Sequence, residues 1–408
     1  MKIIENNKFK STYLTINYIF ELNKKEVTEN IIWATSLLKA TNDNLKTIDI
    51  ERKFASLYSS SYGVSVEKFE NLFLIQFRLE VLNKKYLPKN EDVFEEALKL
   101  LTNIIYNPLV INGGFDKKIV EKQKNIIRDR INAKKDDKRM YALNRCEELL
   151  SENPEDIYLY GRIEDLPNIN EKTAYKQYRK VMENAHVEVI VNGSINKDTE
   201  EIIKKYVKTN NITIPKLMNI SNDNYDLIVE KTFEEKMTQS ILTQGMKIKN
   251  YDKKDVYKYI LYNAILGSGT TSKLFQNVRE KASLAYYTFS RFNRFTGKII
   301  ICTGIEPKNY KKAINLVNKQ LDIIKNGDIT DSEFNTAKKL ICNNVKEWND
   351  SQYTIDTFYL TGKIFYEKEI TFDEFIEEIS KVTKQDVIEI SKNVVPKVIY
   401  SIGGKENV

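Results

Sequence analysis

A single histidine, His186, narrows the catalytic chemistry open to this 408-residue chain before any fold is considered. A Ser-His-Asp triad or a Cys-His pair would have to use that residue, and any site needing two histidines within the chain is excluded. His186 opens HVEVIVNGSI, where Val187, Val189 and Val191 alternate as in a half-buried strand, so it reads as a structural histidine at a strand edge. Cys146, Cys302 and Cys342 are odd in number, widely spaced and set in apolar or helical contexts. They suit reduced thiols better than a disulfide frame or a zinc knuckle.

The remaining chemistry gathers between Leu266 and Tyr287, LGSGTTSKLFQNVREKASLAYY. The turn from Gly267 to Lys273 sets backbone N–H groups ahead of a helix, which suits anions, but it lacks the G-K-[ST] ending of a phosphate loop and no strand clearly precedes it. The helix places Leu274, Phe275 and Val278 on its buried side and Arg279 near its end. Tyr286 follows seven residues later, in a β-rich segment from Leu284 to Phe292. A phenol can donate to an oxygen as that oxygen gains charge, and a guanidinium is a permanent cation with a fork of donors. Neither group generates a nucleophile. The structural alternative is a helix-end cation favoured by the dipole, beside one of 24 tyrosines packed on a sheet.

A chain of this length needs more than one ordinary core, so two or more domains must position these residues. Hydrophobic residues make up 41% and charged residues 30%, the balance of a globular protein rather than a disordered one. Apolar runs fall far short of the ~20 residues that a spanning helix needs. The start, MKIIENNKFKSTYLTINYIFEL, shows no signal-peptide pattern, so the expected location is cytoplasmic, with no membrane partner. The net charge of +7 is spread among interspersed signs, which argues against a nucleic-acid partner.

The expected elements repeat. Leu14, Ile16, Tyr18 and Phe20 alternate as in a strand with one face buried. Helices are expected after Thr28, over about Ile48 to Tyr58, from about Glu91 to before Pro108, and through Asp116 to Leu150. Two β-type runs join around Glu70-Asn71 as a hairpin. Residues 209–224, NNITIPKLMNISNDNY, break the periodicity and read as the linker between residues 1–210 and 225–408. The second half offers another strand before TQSILTQGMKI, a helix from Asp252 to Ile265, and the hairpin LAYYTFSRF against GKIIICTGI. Capping boxes at Thr330/Glu333 and Thr371/Glu374 open later helices. VIYSIGG closes this half as VIVNGSI closes the first. The expected fold is α+β, two similar domains each with a largely antiparallel sheet packed with helices.

The pattern L-F-x-x-x-R-E-K-x-x-L-A-Y, from Leu274 to Tyr286, resembles the C-terminal half-site of the pitrilysin/insulinase metallopeptidases, which include the mitochondrial processing peptidase. The likeness extends over most of the chain, through IERKFASLYSSSYGVSVEKFENLFLIQF, NPLVINGGFDKKIVEKQKNIIRDRINAKK and YLYGRIEDLPNI. In that family an arginine and a tyrosine at this spacing reach substrate lying on a zinc centre, which implies Arg279 and Tyr286 as catalytic contributors. The glycine turn lies beside the family's substrate channel, implying Gly267, Gly269 and Thr270 as substrate-binding residues. The departures are equally specific. Active members carry His-x-x-Glu-His on the first long helix, where this chain has ENIIWATSLLKA, and Gln123 and Arg130 align with two glutamates of the zinc helix. The resemblance therefore implies a chain with no metal of its own. It would be a catalytically incomplete subunit pairing with a zinc-binding homologue in a heterodimeric metalloendopeptidase acting on peptides. The alternative is a non-enzymatic peptide-binding or scaffold protein, possibly a homodimer.

Overall fold

The computed structural model describes all residues except 89–90, 152–158, 219–224, 235 and 405–408. Twelve strands are described, β1 Lys2–Glu5, β2 Ser11–Glu21, β3 Ser61–Phe69, β4 Leu72–Leu82, β5 Val110–Ile111, β6 Gly114–Phe115, β7 His186–Gly193, β8 Ile228–Phe233, β9 Ser240–Ile248, β10 Ala285–Asn293, β11 Lys298–Ile305 and β12 Val394–Gly403. Two five-stranded sheets result, in the orders β1-β7-β2-β4-β3 and β8-β12-β9-β11-β10, with β5 and β6 forming a separate hairpin. In each five-stranded sheet the first pair is parallel and the rest antiparallel. The strands around Val189 and Tyr400 hold the same place in the two orders, as expected of a duplicated α+β plan.

The chain forms two compact units that interleave in sequence. One comprises Met1–Asn132, Ile157–Met218 and Trp348–Glu369; the other comprises Ala133–Asp156, Asn219–Glu347 and Ile370–Val408. Of the expected linker at 209–224, residues 219–224 lie outside the described residues.

In the first unit, β2 is buried from Thr12 to Ile19, on both faces rather than one. Leu14, Ile16 and Tyr18 enter the apolar core with Phe73, Phe77 and the buried face of the helix Val27–Leu37. The opposite face carries Thr15 and Asn17, and the helix Gln352–Tyr366 covers it. Asp356 of that helix accepts from Thr15 Oγ1 at 2.6 Å and from Gln76 Nε2 at 3.0 Å. Alternation correctly set the pleat, but a polar face can be covered when its groups find hydrogen-bond partners. The β3–β4 hairpin turns at Glu70 and Asn71, with Phe69 paired to Leu72 and Glu70 at φ +53°.

The region from Asp116 to Leu150 splits into helices Lys117–Ala133 and Lys138–Leu150, the second capped by Asp137. Leu143, Cys146 and Leu150 of the second helix join Ile300, Cys302 and Tyr400 in a core of the second unit. Both expected capping boxes form: Glu333 N–H donates to Thr330 Oγ1 at 3.1 Å and Glu374 N–H to Thr371 Oγ1 at 3.1 Å. His186 bridges the Ile212 carbonyl and the Glu188 carboxylate. Burial raises the Glu188 pKa, but contacts from His186 and Lys363 outweigh it and hold the carboxyl at about 2.

Candidate functional site

The stretch expected to carry chemistry lies in the second unit and begins with a helix, Val256–Gly267, buried through Tyr259, Leu261, Tyr262, Ile265 and Leu266. Gly267 ends it against β10. A Cβ there would stand 2.5 Å from Ser290 Oγ and 2.6 Å from Ser290 N, so the residue is taken up by helix-on-strand packing. Gly269 sits at φ +83°, the left-handed region that glycine enters without strain. Gly269 and Thr270 are exposed, and the Thr270 carbonyl accepts from Gln276 Nε2 at 2.7 Å.

The sequence predicts an α-helix after this turn; the segment Phe275–Lys281 is instead a π-helix. Leu274 and Val278 are fully buried beneath it. Asn277 Nδ2 donates to the Lys273 carbonyl at 3.0 Å, the acceptor that an α turn would give to the backbone N–H of residue 277, and also to Gln320 Oε1 at 2.8 Å. Side-chain capture of that carbonyl offers the backbone a route to the wider turn. Lys273, almost wholly buried, anchors the segment by pairing with Glu333 Oε1 at 2.9 Å.

Arg279 projects from the π-helix, its guanidinium 4.6 Å from the Phe275 ring centroid and 3.7 Å from Glu280 Oε1. Tyr286 lies where the β10–β11 register slips, between the pairs Ala285–Ile305 and Tyr287–Gly304, and is 50% exposed. Ser283, just before, has φ +49°. Bulges re-aim side chains, and this one turns the phenol outward. Lys308 first, and Tyr286 after it, hold the neighbouring Glu306 carboxyl below its ordinary range. Both residues are therefore accessible; among the described residues no hydrogen bond joins them to each other. A cleft of about 750 Å³ borders the π-helix along Gln276, Asn277 and Lys281, and neither Arg279 nor Tyr286 lines it. The pair can supply one hydrogen-bond donor and one cation to a bound acceptor. The sequence singled out the two residues as candidates and carried no signal for the π turn.

The positions aligned with a metal site lie in the first unit. Gln123 is buried and its Nε2 has no hydrogen-bond partner, while the Arg130 guanidinium lies 5.7 Å from the Tyr160 ring centroid. On the helix Val27–Leu37, Asn30 Oδ1 accepts from Trp33 Nε1 and Gln177 Nε2, each at 3.0 Å. An amide with its donor end unsatisfied, a stacked cation and a closed amide network do not fit Zn²⁺, which requires nitrogen, sulfur or carboxylate ligands. Among the described residues no group of three or more His, Cys, Asp or Glu could hold a metal ion. No helix of the described residues is long and apolar enough to cross a membrane.

Comparison with known proteins adds the ancestry. Residues 168–341 match the family described as the Peptidase M16 inactive domain. Over 412 aligned residues the chain is 30% identical to the probable inactive metalloprotease YmfF of Bacillus subtilis strain 168, covering 99% of this chain and 95% of that one. The chain belongs to the M16 metallopeptidase family. Within M16 it is an inactive-type member by the company of its matches and by its own residues at the metal positions. A conserved protein from Enterococcus faecalis V583 shares the fold at a TM-score of 0.86 and 23% identity, covering 100% of this chain and 96% of that one. The peptidase M16 inactive domain from Pseudomonas fluorescens follows at a TM-score of 0.77 and 18% identity, covering 99% and 95%.

Proposed function

We propose that this M16 chain is the non-catalytic subunit of a heterodimeric zinc metalloendopeptidase that acts on peptides in the cytoplasm. A zinc-binding homologue would supply the metal, the nucleophile and the general base. This chain would supply the Arg279 and Tyr286 half-site and, beside it, the Gly269-Thr270 turn, where peptide backbone can approach closely. The observation that carries the reading is a contrast within one chain. The metal positions have become Gln123 and Arg130, whereas Arg279 and Tyr286 keep the family spacing and stand exposed on irregular backbone.

The role follows from the side chains. The Tyr286 hydroxyl donates to a substrate carbonyl oxygen as negative charge develops there, a contribution of ~2.7–4 kcal/mol per donor in comparable sites. Arg279 holds a neighbouring carbonyl or orients the phenol, and its charge does not titrate away. Co-purification of the untagged chain from its native host tests the pairing. The expected partner is a homologue bearing His-x-x-Glu-His, and peptide cleavage is expected only when both chains are present. One tightly held zinc per isolated chain, or cleavage by this chain alone, would overturn the proposal. Peptide binding without turnover in the presence of that homologue would favour the scaffold reading instead.

A further inference from the structure

The first unit contains a second concavity that the half-site does not use. It has a volume of about 410 Å³, within the range of small-molecule sites, and is walled by Tyr18, Tyr106, Tyr175, Tyr178 and Met182, with Lys208 at its rim. Tyr175 and Tyr178 stack with ring centroids 5.8 Å apart. Four phenol rings and a thioether present polarizable faces and edges, a lining suited to another planar ring.

The polar lining holds one carboxylate, Glu183, which is paired with Arg179, and several donors. Tyr18 O–H donates to the Tyr106 phenol oxygen at 3.4 Å, and the Lys208 backbone N–H donates to the same oxygen at 3.1 Å. A phenol oxygen so supplied has its accepting positions filled, which leaves its own proton to point elsewhere. Burial raises the Tyr106 pKa, so that proton stays in place at neutral pH. The Tyr178 hydroxyl is spent on the Ile105 carbonyl at 2.8 Å. At the mouth, Arg179 is held by Glu183 at 2.7 Å, whereas Lys208 makes no salt bridge among the described residues and lies 4.9 Å from the Tyr106 ring centroid. A phenol proton and a cation that has no carboxylate partner among the described residues thus flank an aromatic chamber.

The geometry points to a binding site for an aromatic carboxylate, a ring carrying an anionic group a few bonds away. The ring enters among Tyr18, Tyr175, Tyr178 and Met182, and the carboxylate meets Tyr106 O–H and Lys208 Nζ. This site goes beyond the half-site reading and stands on a different unit.

Calorimetry and saturation-transfer NMR on the full chain test it with 3-phenylpropionate, 3-phenylpropylamine and hexanoate as probes. The acid is expected to bind in the millimolar range usual for a ligand of this size, about tenfold more tightly than either the amine or the ringless acid. Lys208→Ala, an exposed change, should cost the acid about tenfold and leave the amine unaffected. Met182→Trp should fill the chamber and abolish binding. Equal affinity for acid and amine, or acid binding untouched by Lys208→Ala, would overturn the assignment even if Met182→Trp failed to fold.

Discussion

Asp356 is fully buried beneath the first sheet, and among the described residues no cation pairs with it. Burial raises its pKa from 3.8 to about 7, against the opposing effect of the Thr15 and Gln76 hydrogen bonds. The folded pKa lies above the unfolded one, so the stabilisation is complete below about pH 4. It is lost as pH rises through the interval up to about 7. A rise of that size corresponds to stability on the order of 4 kcal/mol. Asp356→Asn mimics the protonated carboxyl, accepting from Gln76 and donating to Thr15. Denaturant titrations from pH 4 to pH 8 should therefore show a fall in wild-type stability that the variant lacks. The neighbouring Tyr13 phenol, its pKa raised by burial, stays neutral throughout. At the proposed half-site the residue to test is Tyr286, whose ring is half exposed and whose hydroxyl is the only part removed by Tyr286→Phe. In a reconstituted pair this change should lower kcat roughly 10²–10³-fold with little effect on folding. Unchanged turnover would leave family membership intact and remove the oxyanion role. Sequence pattern singled out Tyr286 as a candidate because its motif is local. It gave no sign of Asp356, whose partners Thr15 and Gln76 lie far away in the chain.

Four departures from regular backbone follow one another along a single stretch. Between Gly269 and Tyr286 the chain passes a left-handed glycine, a seven-residue π-helix, a left-handed Ser283 and a strand bulge. Such departures persist where surrounding packing over-determines them. Here the packing is the helix Val256–Gly267 laid on β10 and the pair of buried Lys273 with half-buried Glu333. Gly267→Ala would push a methyl into the Ser290 backbone, which has no freedom to rotate away. The expected cost is about 1–3 kcal/mol, read as a lower Tm, together with reduced activity of the reconstituted pair as the π-helix and Arg279 shift. The sequence located the turn and the buried Leu274 and Val278. It could not tell an α from a π turn, because both bury residues four apart; in the fold Asn277 Nδ2 donates to the Lys273 carbonyl and to Gln320 Oε1.

At the scale of the whole molecule, the two halves of the sequence each give away a helix. Gln352–Tyr366 completes the first unit, where Gln352 Nε2 donates to the Ser11 and Asn192 carbonyls, each at 3.1 Å. Lys138–Leu150 completes the second, where Leu150 and Cys146 pack against Gly245 so closely that a Cβ there would lie 2.7 Å from Leu150. A fragment of residues 1–210 thus leaves Thr15, Asn17 and Gln76 uncovered, and a fragment of 225–408 leaves the Ile300–Tyr400 core open. Each fragment alone should fail to give a cooperative melt, and the two co-expressed should associate and recover one. Independent cooperative unfolding of both fragments would show that neither exchanged helix is required.

The sequence by itself determined what local pattern encodes: the strand alternation, the Glu70-Asn71 hairpin, the capping boxes, the duplicated plan and the M16 motif with its missing metal ligands. All but the duplicated plan depend on residues within a few positions of one another, where spacing alone fixes which side chains share a face; the duplication is read by comparing such local patterns between the halves. Only the tertiary structure decided which helix covers which sheet, that Thr15 and Gln76 meet a buried carboxylate 341 and 280 positions away, and that tyrosines from three distant segments line one chamber. Such contacts join segments far apart in the chain. Their partners are chosen by burial and hydrogen-bond satisfaction across the folded core, and periodicity carries no record of that choice.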